Sequence, residues 1–254
     1  LLDKVEHKAA GINSLILERT ALPEPEFLTE ANIRQLKAAR KFIARKQRQY
    51  DIQNREFPDM QPDPKPAEYL DNATFVNKDY ETCQFTHLQK HDLNLVLQKR
   101  YALLNWQQGS GKTAAAYHRA KYLLKFRKVR NVVILAPAIA INMTWDAFLK
   151  TNKEQYRVIR TSKDLEDVPE GIFLIVSTSM LGKLKRGLAR FIKLRNRKLC
   201  LVFDESDEIT NPNSQRTKYV LCLFRRLKYK LLDTGTTTRN NISELYSQFE
   251  LLYN

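Results

Sequence analysis

The chain has 254 residues, 43% of them hydrophobic, enough for one large domain or one domain with an appendage. Its 43 Lys+Arg against 28 Asp+Glu leave a formal charge of +15, which points to a polyanionic partner, most simply nucleic acid; a generally solubilising surface is the alternative, and the clustering of the charge speaks against it. No apolar run is long enough to span a bilayer, no signal peptide appears, and Cys83, Cys200 and Cys222 have neither metal-ligand nor disulfide spacing, so a reducing compartment is expected.

Residues 1 to about 57 read as helical, with an apolar patch at Leu15, Ile16 and Leu17 and a break at Pro23 and Pro25. Thr29 suits a helix cap, after which Ile33, Leu36, Ala39, Phe42 and Ile43 recur at helical spacing. Arg34, Lys37, Arg40, Lys41, Arg45, Lys46 and Arg48 crowd the same helix, as a phosphate- or partner-binding surface or simply a solvated basic face. Pro58, Pro62, Pro64 and Pro66 then predict an extended linker. The expected division is a helical extension and linker over 1–66 and a main domain over 67–254. A chain that starts at Leu1 and stops at Asn254 is read as a piece of a longer protein.

Phe85 to Leu97 predicts a helix with Leu88, Leu93, Val96 and Leu97 on its packing face. Gln89 carries an amide that can donate and accept, which suits an adenine edge; by itself it also fits an exposed helix position. Tyr101 to Trp106 reads as a short buried strand. Next come Gln108, Gly109, Ser110, Gly111, Lys112 and Thr113, then a helix from Ala114. Glycines let the backbone turn sharply and approach a ligand. A helix N-terminus aims free N–H groups and the positive end of a dipole at an anion. Lys112 can reach a terminal phosphate, and the Thr113 hydroxyl can face Mg2+. The full motif wants a glycine five residues before Gly111, where this chain has Trp106.

Apolar runs at 131–137, 171–177, 198–203 and 229–232 alternate with segments long enough for helices, such as 143–149 and 216–227. That pattern predicts an α/β fold with a parallel sheet covered on both faces, whose ligands sit at the C-terminal strand ends. One such end is Asp204-Glu-Ser-Asp207. Asp204 there can hold Mg2+, usually through water, and Glu205 can orient and deprotonate an attacking water. Another is Asp233-Thr-Gly-Thr-Thr, with Thr234, Gly235 and Thr236 suited to sensing a γ-phosphate; alone it would pass as a polar turn.

Taken in order, these strand ends resemble helicase superfamily two, Swi/Snf branch. Gln-Gly-Ser-Gly-Lys-Thr at 108–113 resembles motif I, which in helicase-like motors fixes only the last glycines and Lys-Thr. Leu135-Ala-Pro137 with Trp145 and Phe148 resembles motif Ia, and Val176-Ser-Thr178 with Met180 resembles motif Ib. Asp204-Glu-Ser-Asp207 followed by Ile209-Thr-Asn211 is similar to motif II. Thr234-Gly-Thr-Thr followed by Asn240-Asn-Ile-Ser-Glu-Leu-Tyr-Ser247 is similar to motif III and its branch-specific continuation. The resemblance covers residues 84 to 254 or so and implies a first RecA-like domain of a nucleic-acid-stimulated ATPase, with ATP and Mg2+ as ligands. By position it implies adenine contact for Gln89, phosphate and metal contact for Lys112 and Thr113, metal and water roles for Asp204 and Glu205, and coupling roles for Asp207, Thr234 and Thr236. Asp207 stands where the family usually has histidine and Thr237 where it usually has proline, both in coupling positions. A second RecA-like domain of the same longer protein would supply the arginine finger.

Basic residues crowd 183–198, and Arg119, Lys121, Lys125, Arg127, Lys128 and Arg130 follow the phosphate loop. Pro137, Ser177, Thr178 and Lys183 are the candidate contacts to a phosphate backbone, independent of base sequence. The expected function is ATP-driven translocation on duplex DNA, in the cytoplasm of a prokaryotic or viral system or in a eukaryotic nucleus. A strand-separating helicase, a restriction or defence motor, and a nucleotide-gated binding module with little hydrolysis are the rivals.

Overall fold

The computed structural model describes residues 37–44, 47, 60–235 and 242–253. The chain divides into two compact units, Leu1–Asp59 and Met60–Asn254. In the first, residues 37–44 are helical, and Phe42 and Ile43, expected on a packing face, are exposed. The patch at 15–17, the Thr29 cap, Ile33 and Leu36 lie outside the described residues.

The second unit opens with a correction. The proline-rich stretch does not run on as an extended linker: Pro64–Asp71 is helix α1, and Pro66 is buried. Pro64 occupies the first helical position, where a missing N–H costs nothing and φ is already set. Asp63 caps it through the Lys65 N–H. Asn94 fastens the cap: its Oδ1 accepts from Asp63 N at 2.7 Å and its Nδ2 donates to Asp63 O at 2.8 Å. Thr74–Val76 (β1) and Thr82–Gln84 (β2) then form an antiparallel hairpin with no expected counterpart.

Helix α2 is His87–Gln98, begun by a reciprocal cap between Thr86 and Gln89. Leu93 and Leu97 are buried as expected; Leu88 is not, being 78% exposed beside the N-terminal cap. Tyr101–Asn105 (β3) leads through the glycine loop into α3, Lys112–Lys125. The remaining strands are Asn131–Ala136 (β4), Tyr156–Ile159 (β5), Phe173–Ser177 (β6), Leu199–Phe203 (β7) and Tyr229–Thr234 (β8). All pairs in this sheet are parallel, in the order β3-β8-β7-β4-β6-β5. β5 is the strand that periodicity missed; it is an edge strand, only Ile159 is fully buried, and its apolar run is short.

Between β4 and β5, Ala138–Ala140 (α4) and Asp146–Thr151 (α5) flank a turn of π-helix, Ile141–Trp145. Leu181–Leu194 (α6), Gln215–Phe224 (α7) and Tyr246–Leu252 (α8) complete the described helices. Alternation along the strands feeds two cores. Val132, Ile134, Cys200, Val202 and Leu231 pack under α3 with Ala115 and Ala116. Val133, Leu135, Leu201, Phe203 and Leu232 pack under α6 and α7 with Leu184, Leu188 and Phe224. Both faces of the sheet are therefore covered, which is why its strands read as unbroken apolar runs. Among the described residues, no helix is long and apolar enough to cross a membrane.

Arg119 belongs to this frame and not to a basic surface. Its side chain is fully buried and donates to the carbonyls of Val96, Lys99, Arg100 and Lys230, tying α3 to the end of α2 and the starts of β3 and β8.

Candidate nucleotide site

The strand order puts the two chemically distinctive loops at one end of the sheet. β3 feeds the glycine loop, β7 feeds Asp204, and β8 alone lies between them. Gly109 and Gly111 adopt φ of 80° and 85°, the left-handed region that a Cβ disfavours. Gly111 directly precedes Lys112, the first residue of α3, so the free N–H groups of the first turn open onto the loop. Thr113, in that first turn, is half-buried. Lys112 Nζ rests on the carbonyls of Trp106 and Gln107 at 3.2 and 3.4 Å. A Cβ at Gly235 would stand 3.4 Å from Lys112 Nζ and 3.3 Å from Gln108 Cγ, so the tip of β8 closes over the loop.

Gln89 reaches this loop by a different use of its amide than the one expected. Its Oε1 accepts from Thr86 N at 2.8 Å, and its Nε2 donates to Ser110 O at 2.9 Å. Ser110 Oγ in turn donates to Gln107 O at 2.5 Å. Both ends of the Gln89 amide are engaged, so it braces the loop.

Asp204 is buried, and its Oδ2 accepts from the Trp145 indole N–H at 2.7 Å. The π-turn brings the ring there; one extra residue per turn rotates Trp145 inward. Glu205 has φ of 53°, a left-handed conformation that costs a non-glycine residue about 1–2 kcal/mol. It turns the chain sharply into the short helix Ser206–Ile209. Thr234 Oγ1 donates to Asp207 Oδ1 at 3.3 Å, joining the β8 tip to this turn. Ser206 Oγ donates to Gln248 Oε1 at 3.0 Å, linking it to α8. Thr236 and Thr237 lie outside the described residues.

Asp233 is the site residue that sequence reading passed over. It ends a buried strand, is fully buried itself, and neither carboxyl oxygen finds a hydrogen-bond donor among the described residues. Burial, and then the Asp204 carboxylate beside it, push its pKa well above the usual carboxylate range; Lys112 acts the other way. A carboxylate interrupting an apolar run at a strand tip was the available signal.

Of the residues expected to meet a phosphate backbone, Lys183 is exposed and Pro137 half-exposed. Ser177 and Thr178 are 7% and 4% exposed, and the Ser177 hydroxyl is paired with Ser179 at 2.8 Å.

Among the described residues, no group of three or more His, Cys, Asp or Glu could hold a metal ion by itself. Mg2+ does not need one, because it keeps several waters and takes phosphate oxygens beside one or two protein ligands. The donor-free oxygens of Asp233, the acidic pair Asp204–Glu205 and the Thr113 hydroxyl at a helix N-terminus fit such an ion.

Sheet order, glycine loop and acidic strand tip together define a first RecA-like domain of the helicase superfamily two type, similar to Swi/Snf cores. The family described as "Type III restriction enzyme, res subunit" (ResIII) matches over residues 34–239, and the chain belongs to that family of helicase-type ATPase domains. Among solved structures, the Sulfolobus solfataricus SWI2/SNF2 ATPase core in complex with dsDNA is similar at TM-score 0.52 and 18% identity, over 67% of this chain and 36% of that one. The UvsW helicase from bacteriophage T4 is similar at TM-score 0.52 and 14% identity, over 74% of this chain and 64% of that one. The Sulfolobus solfataricus SWI2/SNF2 ATPase core domain is similar at TM-score 0.51 and 18% identity, over 72% of this chain and 38% of that one. The chain thus spans between about a third and two thirds of these proteins' length. No curated protein sequence matches it.

Proposed function

We propose that this chain is the ATP-binding half of a nucleic-acid-dependent ATPase that translocates on double-stranded DNA. The observation that carries the reading is the convergence of Lys112, Asp204 and Glu205 on the one buried carboxyl of β8, although they are about 90 residues apart in the chain. In this reading the first turn of α3 and Lys112 bind the β- and γ-phosphates. Lys112 leaves the carbonyls of Trp106 and Gln107 for a far stronger charge-assisted partner. Thr113 and Asp204 would hold Mg2+, which offsets charge on the phosphates. Glu205 orients the attacking water and takes its proton. The Thr234–Asp207 hydrogen bond ties the β8 tip to the acidic turn, so a change at the γ-phosphate reaches both.

The formal charge of +15 and the exposed Lys183 support a polyanionic track, and a Swi/Snf core of similar fold was solved on dsDNA. A second RecA-like domain of the same longer protein is the expected partner, as the supplier of an arginine finger. The family description favours, as a second reading, the motor of a restriction-type enzyme. Phosphate release with and without duplex DNA tests the proposal. Stimulation by duplex that falls steeply with salt is expected; tight ATP binding with no stimulation would mark a nucleotide-gated binding module instead. Displacement of a labelled strand would indicate strand separation.

A further inference from the structure

β8 ends the apolar run Leu231–Leu232 in a buried carboxyl, Asp233. Asp233 pairs in register with Leu104 of β3, and it lies one residue past the Phe203–Leu232 pair, which sets it beside Asp204. Val202 and Leu231 share the core under α3, so strand alternation puts Asp204 and Asp233 on that same face. The charged groups facing Asp233 are Asp204, Lys112 and Glu205. Asp204 and Glu205 outnumber the one ammonium beside Asp233, and a buried carboxyl to which no neighbouring group donates is costly to keep. A hydrophobic residue would fill the strand position without that cost. The arrangement suits a divalent cation with its water shell, which supplies both the charge and the donors.

We propose that Asp233 is a third acidic residue of the metal–triphosphate site, a positioning residue that grips a water of the ion's shell from the strand beside Asp204 and sets how firmly the ion is retained with nucleotide. The proposal rests on the nucleotide-binding reading above. Its place behind Asp204 suits an outer-shell contact, and such partners typically contribute 10–100-fold to metal affinity.

The test compares the protein with Asp233→Asn and Asp233→Leu, using Mn2+ as the probe. Three quantities are measured: bound Mn2+ at saturating ATP by electron paramagnetic resonance, binding of a fluorescent ATP analogue in EDTA, and metal-free thermal unfolding. Both variants are expected to lose roughly tenfold in Mn2+ affinity while analogue binding in EDTA holds. Metal-free Asp233→Leu is expected to melt a few degrees higher, about what removal of one buried unpaired group predicts. Variants that retain Mn2+ as tightly as the parent overturn the proposal, whatever their melting temperature, and leave the nucleotide reading intact. A parent protein that binds neither the analogue nor Mn2+ with ATP defeats the nucleotide reading itself. Should Asp233→Leu fail to fold, the near-isosteric Asp233→Asn decides through its Mn2+ affinity.

Discussion

Trp145 Nε1 donates to Asp204 Oδ2 at 2.7 Å, and both side chains are buried. Indole is a donor only, so this bond fixes which carboxylate oxygen turns away from the ring. A residue 59 positions upstream thereby orients the candidate metal ligand. Trp145→Phe keeps most of the ring volume and removes the donor. The expected result is a loss of about 1–3 kcal/mol in stability and a drop of at least tenfold in phosphate release, the latter partly restored by raised Mg2+. Calorimetry and a Mg2+ titration of the rate check both parts; an unchanged Mg2+ dependence would leave Trp145 a packing residue.

Lys112→Ala separates chemistry from folding. Among the described residues its ammonium hydrogen-bonds to loop carbonyls alone, at 3.2 and 3.4 Å, and beyond those it has the charge of the nearby Asp233 carboxyl, so unfolding should shift modestly. Phosphate release should fall about 10²–10³-fold, the scale on which a single preorganised charge stabiliser acts. A variant that still turns over at the parental rate would remove Lys112 from the mechanism.

Gln89→Ala tests the bracing role of the amide. Losing the reciprocal cap should cost about 1 kcal/mol. Because both amide ends are already committed, to Thr86 and to Ser110, affinity for ATP and GTP should weaken alike. Selective loss of ATP binding would instead restore the adenine-reading role.

Arg119→Met should be among the most damaging single changes. It strips four backbone carbonyls of their donor inside the core. A cost of about 3–5 kcal/mol is expected from denaturant unfolding. Arg119→Lys should recover little, because an ammonium cannot span the same fan of acceptors.

His118 predicts an acid-side weakness. It is buried among Tyr69, Phe85 and Tyr117, and burial pulls its imidazole down from 6.5 to about 4. Between those two values the unfolded chain binds the proton and the folded one does not, so stability is intact above pH 6.5 and is lost as pH falls towards 4. The full loss is about 3 kcal/mol. Urea midpoints measured across that window should decline, and His118→Phe should flatten that part of the curve.

What the sequence determined by itself was whatever depends on a short stretch of chain. Unbroken apolar runs of five or six residues fixed β4, β6 and β7, because a strand covered on both faces has no polar side to display. Gly-Ser-Gly-Lys-Thr at 109–113 fixed a left-handed turn entering a helix, because glycine tolerates that backbone and little else does. The proline cluster misled, because proline forbids a helix interior but favours its first turn, and only Asn94 packed against Asp63 selects that outcome. The tertiary structure decided the pairings that connect distant segments: β8 inserted between β3 and β7, Trp145 turned onto Asp204, Arg119 taken inside, and Asp233 set beside Asp204. Local periodicity carries no record of strand order, and a buried charge reads in sequence like an exposed one until its neighbours are known.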